Sequence, residues 1–147
     1  MQLRKVTHTL KGVRATDGAG VSLVRVLGAN TTDIYDRFLM LDSFDSTDPE
    51  DYRAGFPMHP HRGIETVTFI ARGAMVHEDH LDTKATVTDG EAQWLTAGSG
   101  AFHSEMPAGD GAPAGRPAMA EPSREGQAHR PAQLPRHHAR RDPRVPV

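Results

Sequence analysis

Four residues stand in two pairs of equal spacing: His59 and His61 in "GFPMHPHRG", and His103 and Glu105 in "FHSEM". On an extended chain, residues i and i+2 project from one face. Each pair therefore aims two donor groups the same way, while Pro60 and Ser104 point oppositely. Two such pairs on neighbouring strands would converge three imidazoles and one carboxylate. That nitrogen and oxygen set suits iron, and also manganese, nickel, copper or zinc. Four protein ligands on a six-coordinate ion leave two positions open for oxygen and a substrate, and an ion with open positions can do chemistry. An isolated His-x-His is more often a pair of partly buried histidines. The matching second pair weighs toward metal, as do the glycines of "GFP" and "TAGSG", which let backbone turn tightly beside both.

Such pairs need strands to carry them, and the sequence supplies strand patterns. Period-two segments bounded by turn residues recur as "VSLVRVLG" (21–28), "RFLMLDSF" (37–44), "IETVTFIARG" (64–73), "AMVHED" (74–79), "ATVT" (85–88) and "AQWLTA" (92–97). "GSGAFHSEM" (98–106) is a glycine-rich turn running into another strand. Pro60 has no N–H, which predicts an edge strand or the start of one for the first histidine pair. No window keeps a helical period over three turns. Many short strands predict an all-β sandwich or barrel.

The chain has 147 residues and no cysteine, which removes disulfides, thiolate nucleophiles and cysteine metal sites. A net charge of −2 gives no reason to expect nucleic acid or a membrane surface. No apolar run suggests a secretory leader or a membrane span, so the expectation is a soluble cytoplasmic protein. Composition divides the chain. Residues 1–107 hold 10 Lys and Arg against 15 Asp and Glu, whereas residues 108–147 hold 7 Arg, no Lys and 4 acids.

Other clusters are weaker. His77, Glu78, Asp79 and His80 alternate between two faces, so a solvated strand end is expected rather than a second metal. "DSFDSTDPED" (42–51) lacks the rhythm of a calcium loop. "DGAGVS" lacks the Gly-Lys-Ser/Thr of a phosphate loop. Trp94 is expected in the core.

"HPHRGIETVT", "HEDH", "AQWLTAGSG" and "FHSEMP", in that order, resemble the N-terminal half of the pirins, a family of the cupin superfamily. The similarity runs from about Lys5 to Pro107 and includes "GVRATDGAGVSLVRVLG" and "FLMLDSFD". It implies a jelly-roll-like cupin barrel, the first of two in a pirin, holding one divalent metal. Iron(II) is the first choice, with Mn, Ni, Cu or Zn as alternatives. Carried over residue by residue, the metal ligands are His59, His61, His103 and Glu105. Glu65 stands where many other cupins place a carboxylate ligand, but the pirin pattern leaves it out. Two activities are implied. One is quercetin 2,3-dioxygenase chemistry, opening the central ring of a flavonol with O2. There Glu105 is a ligand, or the catalytic base that takes the 3-hydroxyl proton. The other is a non-enzymatic, redox-sensing co-regulator of transcription that acts through a protein partner. Phe56, Met58, Phe102 and Met106 neighbour the ligands and are candidates for a pocket or for ordinary core.

Residues 108–147 carry seven prolines, no aromatic residue and no isoleucine. That composition predicts a disordered tail. The resemblance stops there, where a pirin continues with a strand like "QLWLNLP". A shifted reading frame would account for the break, and a genuine disordered tail on a short cupin is the competing account. Met119–Ala120 is coded ATG GCN, which one base later forces a tryptophan. Pro117 to Pro122 then permits "QLWLNL". A barrel short of that interior strand is expected to be incomplete and to bind metal weakly, and a fragment without function is the third reading.

Overall fold

The computed structural model describes residues 5–108, 117–122 and 133–138, the last two segments as backbone strands only. In chain order the elements are β1 (Val13–Asp17), β2 (Val21–Leu27), β3 (Phe38–Ser43), α1 (Pro49–Tyr52), β4 (Phe56–His61), β5 (Glu65–Ile70), β6 (Ala74–Asp79), β7 (Lys84–Thr88), β8 (Ala92–Thr96), β9 (Ala101–Pro107), β10 (Pro117–Pro122) and β11 (Gln133–His138). The fold is all-β, as the alternating pattern predicts. Helix α1 is one turn within the acidic segment. Asp48 caps it by accepting from the Glu50 N–H at 3.0 Å, and Ser46 donates to Asp51 at 2.5 Å. Carboxylates of that loop thus serve the local backbone and side chains.

Two sheets form. The larger has the order β1-β2-β3-β10-β5-β8-β11, and the smaller the order β4-β9-β6-β7. Every pairing is antiparallel. β4 lies at an edge of the smaller sheet, as Pro60 predicts. Apolar clusters join the two sheets. Ile70 of β5 packs with Met75 of β6 and Val87 of β7. Leu95 of β8 packs with Ala97 and with Ala101 of β9. Val21 and Leu23 of β2 pack with Phe44, and Phe56 of β4 lies against them. A polar layer also lies in the interior: Thr68, Gln93, His77, His103 and Glu105 are all buried.

One sequence expectation needs correction here. Trp94 is 38% exposed, because strand parity on β8 turns Gln93 and Leu95 inward and Trp94 out. Two segments of the tail, 117–122 and 133–138, are strands. β10 pairs with β3 on one side and β5 on the other, and β11 pairs with β8. An open ladder of N–H and C=O groups on β3 and β5 accepts any backbone that can be extended. The prolines of β10 stand at its two ends, which leaves the N–H groups of Ala118 to Glu121 for the ladder. β10 is also the segment in which the shifted frame would place its tryptophan. The rest of the tail lies outside the described residues.

Candidate metal centre

β4 and β9 run side by side, with His59 directly opposite His103 and His61 opposite Ala101. A register shift between Phe56 and His59 separates this stretch from the Phe56–Glu105 pair. The ladder thus brings the two sequence pairs onto adjoining strands with their donors on one face. The ring of His103 lies 4.5 Å from that of His59 and 4.9 Å from that of His61, centre to centre. Nitrogen atoms of the three imidazoles all lie within 4.8 Å of one another.

Local hydrogen bonds set the rings. His59 Nδ1–H donates to the Pro57 carbonyl at 2.8 Å, which leaves the Nε2 lone pair to face the other imidazoles. His59 Nε2 and His61 Nε2 are 3.0 Å apart. Two nitrogens each about 2.1 Å from one ion and at right angles about it lie about 3.0 Å apart, so this spacing fits a shared ion. His103 Nε2 is buried and has no hydrogen-bond partner among the described residues. Such an orphan lone pair is costly unless something binds it.

Burial, and then the charge of His59, pushes the His61 pKa down to about 4. Burial, followed by His59, His61 and His77, pushes His103 down to about 2. Both rings are therefore neutral at neutral pH, the form that ligates metal.

Glu105 is brought to the same neighbourhood but not into that tight group of three imidazoles. It belongs instead to a second group with His77 and His103, whose donor atoms also lie within 4.8 Å of one another. Its Oε1 accepts from Thr68 Oγ1 at 2.8 Å and from Gln93 Nε2 at 3.3 Å. The Gln93 amide also donates to His77 Nδ1 at 2.9 Å. Glu105 Oε1 and His77 Nδ1 are thus already accepting from O–H and N–H groups. Glu65 is buried on β5 and belongs to neither group; its Oε1 accepts from Thr96 at 3.5 Å.

His77 and Asp79 overturn the expected solvated strand end. Both are buried, while Glu78 pairs with Lys84 and His80 is exposed. The sequence hides this because the inward face of β6 gets its meaning from β9. In the β6–β9 register His77 stands opposite Glu105 and Asp79 opposite His103. Thr68 and Gln93 carry no motif in the sequence either. Their only signal is that each holds an inward parity on a strand whose neighbours are buried.

A cavity of about 390 Å³ opens onto His59 and His61. Met40, Phe44, Phe56 and Met58 give it apolar walls. Its volume lies in the range of small-molecule sites. Phe102, by contrast, is 52% exposed on the outward face of β9. Met106 does not line the cavity but packs over Gly55, whose left-handed backbone (φ 59°) leaves no room for a Cβ beside the Met106 sulfur. At the polar side of the cavity Asp42 forms a bidentate pair with Arg25 at 2.9 and 2.7 Å, and Arg25 also reaches Asp17 at 2.6 Å.

Comparison with known proteins gives a consistent result. The family model described as Pirin matches residues 20–119. The chain is 53% identical over 104 residues to a Pseudomonas aeruginosa protein named "Putative quercetin 2,3-dioxygenase", covering 71% of this chain and 36% of that protein. It is 47% identical over 110 residues to a "Pirin-like protein" of Caulobacter vibrioides, covering 75% and 40%. The chain thus spans well under half the length of these curated relatives. A crystal structure from Geobacillus kaustophilus matches with a TM-score of 0.69 at 29% identity, over 97% of this chain and 54% of that one. A quercetin 2,3-dioxygenase from Acinetobacter baumannii matches in fold, with a TM-score of 0.77 at 23% identity over 87% and 43%. Among the described residues no helix is long and apolar enough to cross a membrane.

Proposed function

The chain belongs to the pirin family, and from that premise we propose that His59, His61, His103 and Glu105 hold one divalent metal, iron(II) first, for the oxidative ring-opening of a flavonol by O2. The observation that carries this is the meeting of three imidazoles, two of which, His59 and His61, line a cavity with apolar walls. The name of the Pseudomonas relative supplies the substrate class.

When bound, such an ion supplies Lewis acidity toward a flavonol oxyanion and a redox centre for O2. The chain's own residues do the rest. His59 and His61 reach the cavity and are held in place, His59 by the Pro57 carbonyl. Phe44, Phe56, Met40 and Met58 offer flat and soft apolar contacts to aromatic rings and exclude water from the reacting face. Glu105 does not line the cavity, and Thr68 and Gln93 hold its Oε1. That position favours Glu105 as the fourth ligand over Glu105 as the base that meets the 3-hydroxyl.

Oxygen uptake by the iron-loaded chain with quercetin tests the proposal. Uptake that disappears in His59→Ala is the expected result. Metal bound without any turnover would overturn the enzymatic reading. A protein partner captured in only one iron oxidation state would then support the redox-sensing alternative.

A further inference from the structure

We propose that Asp79 and His77 form a buried relay that fixes the tautomer and ring orientation of His103, so that His103 Nε2 faces the metal; both are positioning residues. This rests on the metal reading given above.

The relay begins at a carboxylate held by backbone. Asp79 Oδ1 accepts from the N–H groups of Leu81 at 2.9 Å and Thr83 at 3.1 Å, in the turn after β6. Asp79 Oδ2 lies 3.2 Å from His77 Nε2. Burial raises the Asp79 pKa, but the His77 contact and the two backbone N–H groups outweigh it, so the group stays an acceptor. His77 Nε2 therefore carries the proton, and its Nδ1 presents a lone pair. Two nitrogen atoms converge on that lone pair: Gln93 Nε2 at 2.9 Å and His103 Nδ1 at 3.4 Å. In the relay His103 Nδ1 is the protonated nitrogen and the more distant of the two donors to that lone pair. Its Nε2 keeps a lone pair, and that atom is the buried one with no hydrogen-bond partner among the described residues.

Metal-bound histidines commonly donate their second N–H to a carboxylate or carbonyl. Here another imidazole is inserted between the ligand and the carboxylate. The β6–β9 register explains why. Asp79 stands opposite His103, but its Oδ1 is committed to the turn, and His77, opposite Glu105, reaches back to bridge them. Gln93 ties the same relay to the second ligand, because one amide group donates both to His77 and to Glu105. His77 is 1% exposed and His103 0%, so water does not substitute for either contact.

The test is made on the full chain in two parts. In the metal-free protein labelled with ¹⁵N-histidine, long-range ¹H–¹⁵N correlations report each tautomer. The expected result is Nδ1–H on His103 and Nε2–H on His77; Nε2–H on His103 would overturn the relay whatever the variants do. Zinc(II) titration is the second part. Asp79→Asn and His77→Phe are expected to weaken zinc binding about 10–100-fold. His77→Gln, whose side-chain carbonyl can accept from His103 Nδ1–H, is expected to recover much of that loss, which a purely steric role would not produce. Wild-type protein that takes up no zinc would overturn the proposed function. Wild type that binds zinc, with both Asp79→Asn and His77→Phe binding it equally well, would overturn the relay alone.

Discussion

His59 stands directly across the β4–β9 ladder from His103, with ring centres 4.5 Å apart. His61 adds a third ring 4.9 Å from His103. The consequence for stability has a definite sign. Burial depresses the folded-state pKa of His61 to about 4 and of His103 to about 2, from 6.5. Between these values the unfolded chain binds more protons than the folded one, so stability rises with pH. This contribution is present in full above about pH 6.5. It is lost as pH falls, until His61 and then His103 takes up its proton in the folded state. Urea denaturation of the metal-free chain at pH 7.5 and pH 5 is expected to show a lower midpoint at pH 5. His103→Phe, which fills the site with an apolar ring, is expected to flatten that difference.

Thr68 holds the carboxylate that the metal reading needs. Its hydroxyl donates to Glu105 Oε1 at 2.8 Å, and both side chains are buried. Thr68→Val keeps the shape and removes the donor. The expected cost is about 1–3 kcal/mol in stability. Denaturant melts and a zinc titration are expected to show loss of both stability and affinity, and unchanged values in both would remove Thr68 from the support of Glu105.

Arg25 neutralises a buried charge at the edge of the cavity. Asp42 is 2% exposed and takes two of the three guanidinium contacts, the other going to Asp17. Removing one partner of a fully buried pair costs about 3–5 kcal/mol. The Arg25 side chain is a third exposed, so solvent screening reduces the expectation for Arg25→Met to roughly 1–3 kcal/mol. Chemical denaturation checks it, and Arg25→Met with Asp42→Asn together is expected to recover part of the loss.

Much of this was legible from local rules. The period of two placed His59 with His61 and His103 with Glu105, and Pro60 marked β4 as an edge. What local rules could not supply was register. His77 and Asp79 look like members of an exposed charged run until β9 is laid beside β6, and Gln93 and Thr68 look unremarkable until β5 and β8 point them at Glu105. The hairpin strand β1 lacks a clear apolar alternation and went unread for that reason; its burial pattern is mostly exposed. Trp94 misled because size suggested core, while parity on β8 decided against it. Composition speaks for side chains, and the pairing of 117–122 between β3 and β5 is made by backbone.

The central claim is that three imidazoles and Glu105 hold one metal ion per chain. Metal content after anaerobic loading with iron(II) and desalting tests it most directly, measured on the wild type and on His103→Ala. The account predicts one iron per chain in the wild type and none in the variant. A wild-type chain without iron, or a His103→Ala chain that retains it, would contradict the account.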